Sequence, residues 1–316
     1  VDFAERQAYN RWASTALIFI FCVFFLLVGV LVDHLYLDAF AGNGLPLPLA
    51  TMVSLSIAAL IALASYYQGS RWILASLGAE GLDRELPEHR ELHNVVTEMA
   101  LASGAPMPKV YVVFDPAPNA FATGRDESNA SVCVTTGLLA LLNREETQGV
   151  IAHEIAHIRN RDILLAMLVS VLLGGVVLLS DWAQRSFYST RSRQRLGTGT
   201  ALLIIPAFLL ILFAPLISRL LAMAVSRQRE YLADAAAAEF TRNPLGLARA
   251  LEKIRDASMP FHKATRGTAH LFFVNPLRRR VDDREGRLAD LLSTHPPIAR
   301  RIALLQRMAG VFPASR

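Results

Sequence analysis

The chain has 316 residues, of which 53% are hydrophobic and only 19% charged, with a net charge of +5. Charged residues make up about a quarter of an average soluble domain, so composition argues against a purely soluble protein and against a mainly disordered one. Two cysteines, Cys22 and Cys133, exclude both a disulfide scaffold and a four-cysteine zinc ribbon.

Four apolar runs divide the sequence. Trp12 to Val32 carries no charge, and Ala39 to Ser70 is uncharged throughout, with its densest part from Leu47 to Tyr67. Each is long enough to span a bilayer as a helix, which takes about 20 apolar residues. Ile163 to Ser180 and Leu196 to Ser218 follow, the former with Gly174 and Gly175, the latter with Pro206 and Pro215. They read as two further spans or as a buried hairpin. The first run has basic residues ahead of it, Arg6 and Arg11. It is longer than a signal-peptide core, and no small-residue cleavage site follows, so it reads as a retained anchor.

Basic residues set the orientation. Eight Lys and Arg lie in residues 68–162, eighteen in residues 219–316 and none between Asp33 and Asp38. The N-terminus, the middle segment and the C-terminal segment are therefore placed on the cytoplasmic side. Four Arg in residues 181–195 conflict with an outer loop there, so the second pair of runs either crosses despite its charge or dips in and returns. The C-terminal basic block reads as an inner-leaflet surface; no aromatic-interleaved basic module supports nucleic-acid binding.

In the middle segment the spacing predicts an amphipathic helix from Pro87 to Ser103, stopped by Gly104 and Pro106. Short strands are expected at Lys109–Phe114, Asn119–Thr123 and Ser131–Thr136, with a polar turn at Gly124–Asn129 between the last two. Asn143, with Glu146 three residues on, is a capping box. The helix it opens is expected to run straight into the third apolar run. His89 and His93 on the earlier helix read as surface residues, and Cys133 as a small buried hydrophobe.

Inside the capped helix stands His153-Glu154-Ile155-Ala156-His157. Histidines at i and i+4 share a helix face and reach one metal ion, while the glutamate after the first is placed to take a proton from water. A zinc hydrolase needs a third protein ligand and an open fourth position. Glu230, in Glu230-Tyr231-Leu232-Ala233-Asp234, is the candidate. Asp234, at i+4 from it, is placed to fix the tautomer of a ligating histidine.

The HEIAH motif, followed after a hydrophobic hairpin by EYLAD, resembles the HtpX-type membrane metallopeptidases, gluzincins related to the CAAX prenyl proteases. Asn119-Ala120-Phe121-Ala122-Thr123-Gly124 is similar to the family's edge strand beside the zinc. Asn275-Pro276-Leu277 and Thr294-His295-Pro296-Pro297, with Arg301 beyond, look like its C-terminal signatures. The run Arg278-Arg279-Arg280 departs from the family pattern.

The resemblance implies one Zn2+ on His153, His157 and Glu230, Glu154 as general base, and His295 and Arg301 lining the site. Either His295 or Arg301 would then serve as the donor for the oxyanion. A substrate chain would pair along Asn119, Ala120, Phe121, Ala122 and Thr123 by strand addition.

The expected fold is therefore a mainly α membrane protein with an α+β zincin-like metalloprotease domain carrying a small β-sheet, and about four hydrophobic helices. Residues 1–70 form a two-helix anchor, 71–162 the first part of the protease domain, 163–222 a hydrophobic hairpin, and 223–316 the second part. From His157 to Ile163 is roughly 9 Å of helix, which sets the metal close to the membrane face. The expected function is zinc-dependent cleavage of membrane or misfolded polypeptides at the cytoplasmic face of a bacterial inner membrane. The alternatives are processing of prenylated C-termini, or a non-catalytic scaffold with a closed structural zinc site.

Overall fold

The computed structural model describes residues 3–36, 47–173, 227–257, 271–273 and 296–310. Two long helices come first, α1 (Phe3–Tyr36) and α2 (Leu49–Leu77). Asp33 near the end of α1 accepts the backbone N–H groups of Ala50 and Thr51 at 2.9 and 2.8 Å, and the Thr51 hydroxyl at 2.6 Å. It thus caps α2 from outside, where the local N-cap residue, Pro48, offers no side chain.

Beyond α2 come β1 (Ala79–Gly81), α3 (Pro87–Ser103), β2 (Lys109–Val113), β3 (Ala120–Gly124) and β4 (Ala130–Thr135). The sheet order is β1-β2-β4-β3. The β2–β4 pair is parallel and the other two are antiparallel. Strand β4 is buried on both faces. Val132 and Val134 face a core built with α3 and the helices that follow, while Cys133 faces Ile73, Leu74 and Leu77 of α2. This explains why Ala130-Ser-Val-Cys-Val-Thr shows no polar alternation.

Helix α4 (Thr136–Leu141) leads to α5 (Arg144–Arg159), which runs through the centre of the main core. Its start is fixed by the expected capping box: Asn143 Oδ1 accepts from Glu146 N at 3.0 Å, and Glu146 Oε2 accepts from Asn143 N at 2.9 Å. Midway, Gly149 lies against α8 (Pro244–Ala257), and a Cβ there would come 2.7 Å from the Leu247 backbone nitrogen. Helix contact explains a glycine that would otherwise cost about 1 kcal/mol in a helix interior. The remaining helices are α6 (Asp162–Leu168), continued by a π turn (Val169–Leu173), α7 (Arg227–Thr241) and α9 (Ile298–Met308).

The predicted strand and helix ends hold to within a residue, and Cys133 is buried as expected. Three points differ. The three-residue β1 was not expected, since Ala-Glu-Gly is too short to carry a periodicity. His89 is buried rather than on the surface, and its Nδ1 accepts the Asp83 N–H at 3.1 Å. Helix α5 does not run on into the third apolar run. It stops at Asn160, Arg161 takes a left-handed conformation with φ 58°, and α6 restarts at Asp162. Of the four expected apolar helices, two lie among the described residues and are long and apolar enough to cross a membrane, Gln7–His34 and Leu49–Leu77. The third run is described only to residue 173, as part of a shorter apolar helix, and the fourth lies outside the described residues.

Candidate metal centre

His153 and His157 lie one turn apart on α5, with their Nε2 atoms 3.1 Å from each other. Glu230, in the first turn of α7, faces both: its Oε2 is 3.7 Å from His153 Nε2 and its Oε1 is 3.7 Å from His157 Nε2. The edge of a tetrahedron around an ion with bonds of 2.0–2.1 Å is about 3.3 Å, so these three groups stand at the separation that one small cation requires.

The remaining ring nitrogens say more. His153 Nδ1 lies 3.0 Å from Asp234 Oδ1, and His157 Nδ1 lies 3.0 Å from Asp162 Oδ2. Each carboxylate takes an N–H from the ring it faces. In the neutral rings both Nε2 atoms are then bare lone pairs, pointed at each other and at a carboxylate. With both rings neutral, three acceptors that close repel one another; a proton on His157 Nε2 or a divalent cation between them removes the conflict. Two imidazoles and one glutamate carboxylate make a donor set that catalytic zinc uses.

Asp234 is held in turn by Arg301 of α9, whose Nε and Nη2 donate to its two oxygens at 2.8 and 2.7 Å. The same guanidinium has Nη1 3.5 Å from Glu230 Oε2 and sits over the ring of Phe273, 4.9 Å from its centroid. Burial works to raise the Asp234 carboxyl, but Arg301 and His153 outweigh it and hold it below the usual carboxylate range. Burial, with Arg301 alongside, drops the His153 ring to about 4. Burial also opposes a charge on His157, yet its bond to Asp162 and the nearby carboxylates of Glu230 and Glu154 outweigh that and raise it to about 9.

Glu154 lies beside the triad and is 2% exposed. Burial pushes its carboxyl up to about 7, against the pull of His157 and of a hydrogen bond from the Ala122 N–H of β3. A carboxyl near neutrality suits a group that must take up and give back a proton.

Residues 87–309 match the family model described as peptidase family M48. The chain is a member of peptidase family M48. It is a metalloprotease of the HtpX type. An M48 relative from Thermoanaerobacter pseudethanolicus, a protease HtpX homolog, is 48% identical over 248 residues, covering 77% of this chain and 80% of its own. The protease HtpX homolog of Streptococcus mutans is 37% identical over 312 residues, covering 96% and 99%. The crystal structure of S. mikatae Ste24p is similar with a TM-score of 0.49 at 20% identity, covering 96% of this chain and 67% of that one.

Of the residues expected from sequence, His153, Glu154, His157, Glu230, Asp234 and Arg301 are brought together in this cluster. Arg301 enters it on the Nδ1 side of His153, 1% exposed and bonded to Asp234. His295 lies outside the described residues, as do residues 275–277 and 278–280.

The edge strand is where expected, but less of it is open than strand addition along 119–123 would need. Asn119 is turned inward, its N–H donating to Thr135 Oγ1 at 2.9 Å and its C=O accepting from Thr135 N at 3.0 Å. Phe121 and Thr123 pair with β4 in the same register. On the outer side, the Ala120 C=O takes the N–H of Phe273 at 2.9 Å, and the Ala122 N–H is turned to Glu154.

Sequence reasoning missed Asp162, Phe273 and the Ala122 N–H. On an unbroken helix Asp162, at i+5 from His157, would stand about 140° around from it. Only the break at Arg161 brings it back.

Proposed function

We propose that this chain is a membrane-anchored zinc endopeptidase whose own residues carry out peptide hydrolysis at the cytoplasmic face of a bacterial inner membrane. What supports the reading is one observation: three atoms able to ligate a metal converge while both histidine Nδ1 atoms face carboxylates, and a buried Glu154 stands beside them. His153, His157 and Glu230 would hold the ion. Zinc bound there supplies Lewis acidity, polarising the scissile carbonyl and lowering the pKa of water to about 7. Glu154 takes the proton of the attacking water and returns it to the leaving amine. The Ala122 N–H keeps its carboxylate aimed.

Arg301 is a positioning residue in this reading. Its Nε and Nη2 are bound to Asp234, so it fixes the His153 side of the triad. The oxyanion donor is assigned to His295, which stands just ahead of Pro296-Pro297 in the sequence. Substrate pairing is confined to the part of β3 beyond Ala120. Residues 1–70 act as the anchor, 163–222 as a hydrophobic hairpin within the protease, and the two flanking parts as its halves. With the catalytic helix this close to apolar helices, the substrates are membrane proteins or misfolded chains emerging at the bilayer surface.

The test is proteolysis of casein by the full chain in detergent. A zinc chelator is expected to abolish cleavage and added zinc to restore it. Cleavage that persists after the metal has been removed would overturn the reading.

A further inference from the structure

The family match begins at residue 87, and α1 lies wholly before it. Two amide side chains one turn apart on α1 nevertheless reach the metal-binding helix. Gln7 Nε2 donates to the Arg159 C=O at 2.8 Å, and Asn10 Nδ2 donates to the Asn160 C=O at 3.0 Å. These carbonyls stand at the C-terminal end of α5, where helical partners run out.

Asn10 Nδ2 also donates to Asp162 Oδ1 at 2.5 Å. The other oxygen of that carboxylate lies 3.0 Å from His157 Nδ1. Both partners of the Asn10 nitrogen are pure acceptors, so the orientation of its amide follows from chemistry. Its own Oδ1 accepts from Arg229 at 3.4 Å, the residue before the ligand Glu230. Asn10 is 2% exposed, and its two N–H groups straddle the left-handed break at Arg161. The register is held by apolar contact: Ala13, Leu17 and Phe21 of α1 pack with Leu165, Leu168 and Leu172.

We propose that the first apolar helix is a working part of the metal centre as well as an anchor: Asn10 is a positioning residue that holds Asp162 and, through it, the ring of His157 in its ligating orientation. A helix that lies ahead of the residues matched by the family model thereby sets the affinity of the site for its metal. The inference rests on the reading of His153, His157 and Glu230 as metal ligands. Partners of this kind shift metal affinity by about 10–100-fold when removed.

The full chain in detergent is loaded with Co2+, whose visible absorption reports ligand geometry, and its affinity is measured by chelator competition. About one cobalt per parent chain is expected. Asn10→Leu should bind it about 10–100-fold more weakly, with an altered spectrum. Asp162→Asn should move both readouts the same way. The double variant should bind no more weakly than Asp162→Asn alone, because Asn10 acts through Asp162. Thr15→Ala, an exposed α1 residue bonded within its own helix, should match the parent.

Parent-like affinity and spectrum in Asn10→Leu, or losses that simply add in the double variant, would overturn the proposal. A parent that takes up no cobalt would overturn the metal reading itself, and this inference with it. If Asn10→Leu does not fold, Asn10→Ser is read by the same two outcomes, since it keeps one donor too short to bridge both acceptors.

Discussion

The two histidines of the site are supported by the same chemistry from different sources. On one side, His153 Nδ1 meets Asp234, which is clamped by two bonds from the buried guanidinium of Arg301. On the other, His157 Nδ1 meets Asp162, which is held by the neutral amide of Asn10, with Arg229 farther off at 3.7 Å. The first arm is an ion pair between late elements of the protease. The second is a helix break met by the N-terminal helix. A carboxylate behind each ring fixes its tautomer either way, so a bound metal would meet an Nε2 lone pair from each ring. The cost of losing each arm should differ, because a buried guanidinium stripped of its partner is far more expensive than a stripped amide.

The largest effect should come from the group both arms share. Glu230→Ala is expected to abolish stable metal retention, well beyond the roughly 10–100-fold loss expected for outer partners. Chelator competition measures it, and retention like the parent's would remove Glu230 from the ligand set. Next, Asp234→Asn should destabilise the fold by about 3–5 kcal/mol, the cost of breaking a buried ion pair from one side. Asp162→Asn should weaken metal retention by about 10–100-fold while leaving the thermal midpoint nearer the parent's. Equal drops in midpoint for the two would erase the contrast between the arms. The smallest change is Asn143→Ala, which removes the cap of α5 far from both arms. It should cost about 1 kcal/mol in denaturant unfolding and leave metal affinity alone. A changed metal affinity there would mean the whole helix, rather than the local carboxylates, aligns the histidines.

The same division decides what could be read in the sequence. The His153 arm was legible because its parts keep helical spacing: His153 and His157 at i, i+4, Glu230 and Asp234 at i, i+4. The capping box and the Gly104 stop were legible because each is a local backbone device. The His157 arm was not legible. Asp162 faces away from His157 on any regular helix, and nothing in Asn160-Arg161 announces a left-handed residue, which is rare for arginine. Asn10 lies just ahead of the first apolar run, and its partners are some 150 positions away in sequence. The narrowing of the edge strand was hidden for the same reason, since Phe273 meets Ala120 only through the tertiary fold.

The central claim is that Glu154 is the base of a metal-dependent hydrolysis whose metal is held by other residues. Glu154→Gln keeps the shape of the side chain but cannot take up a proton. Metal analysis and casein cleavage on the same purified sample test it most directly. The account predicts about one zinc per chain with cleavage lost. Cleavage at the parent's rate, with zinc retained, would contradict it.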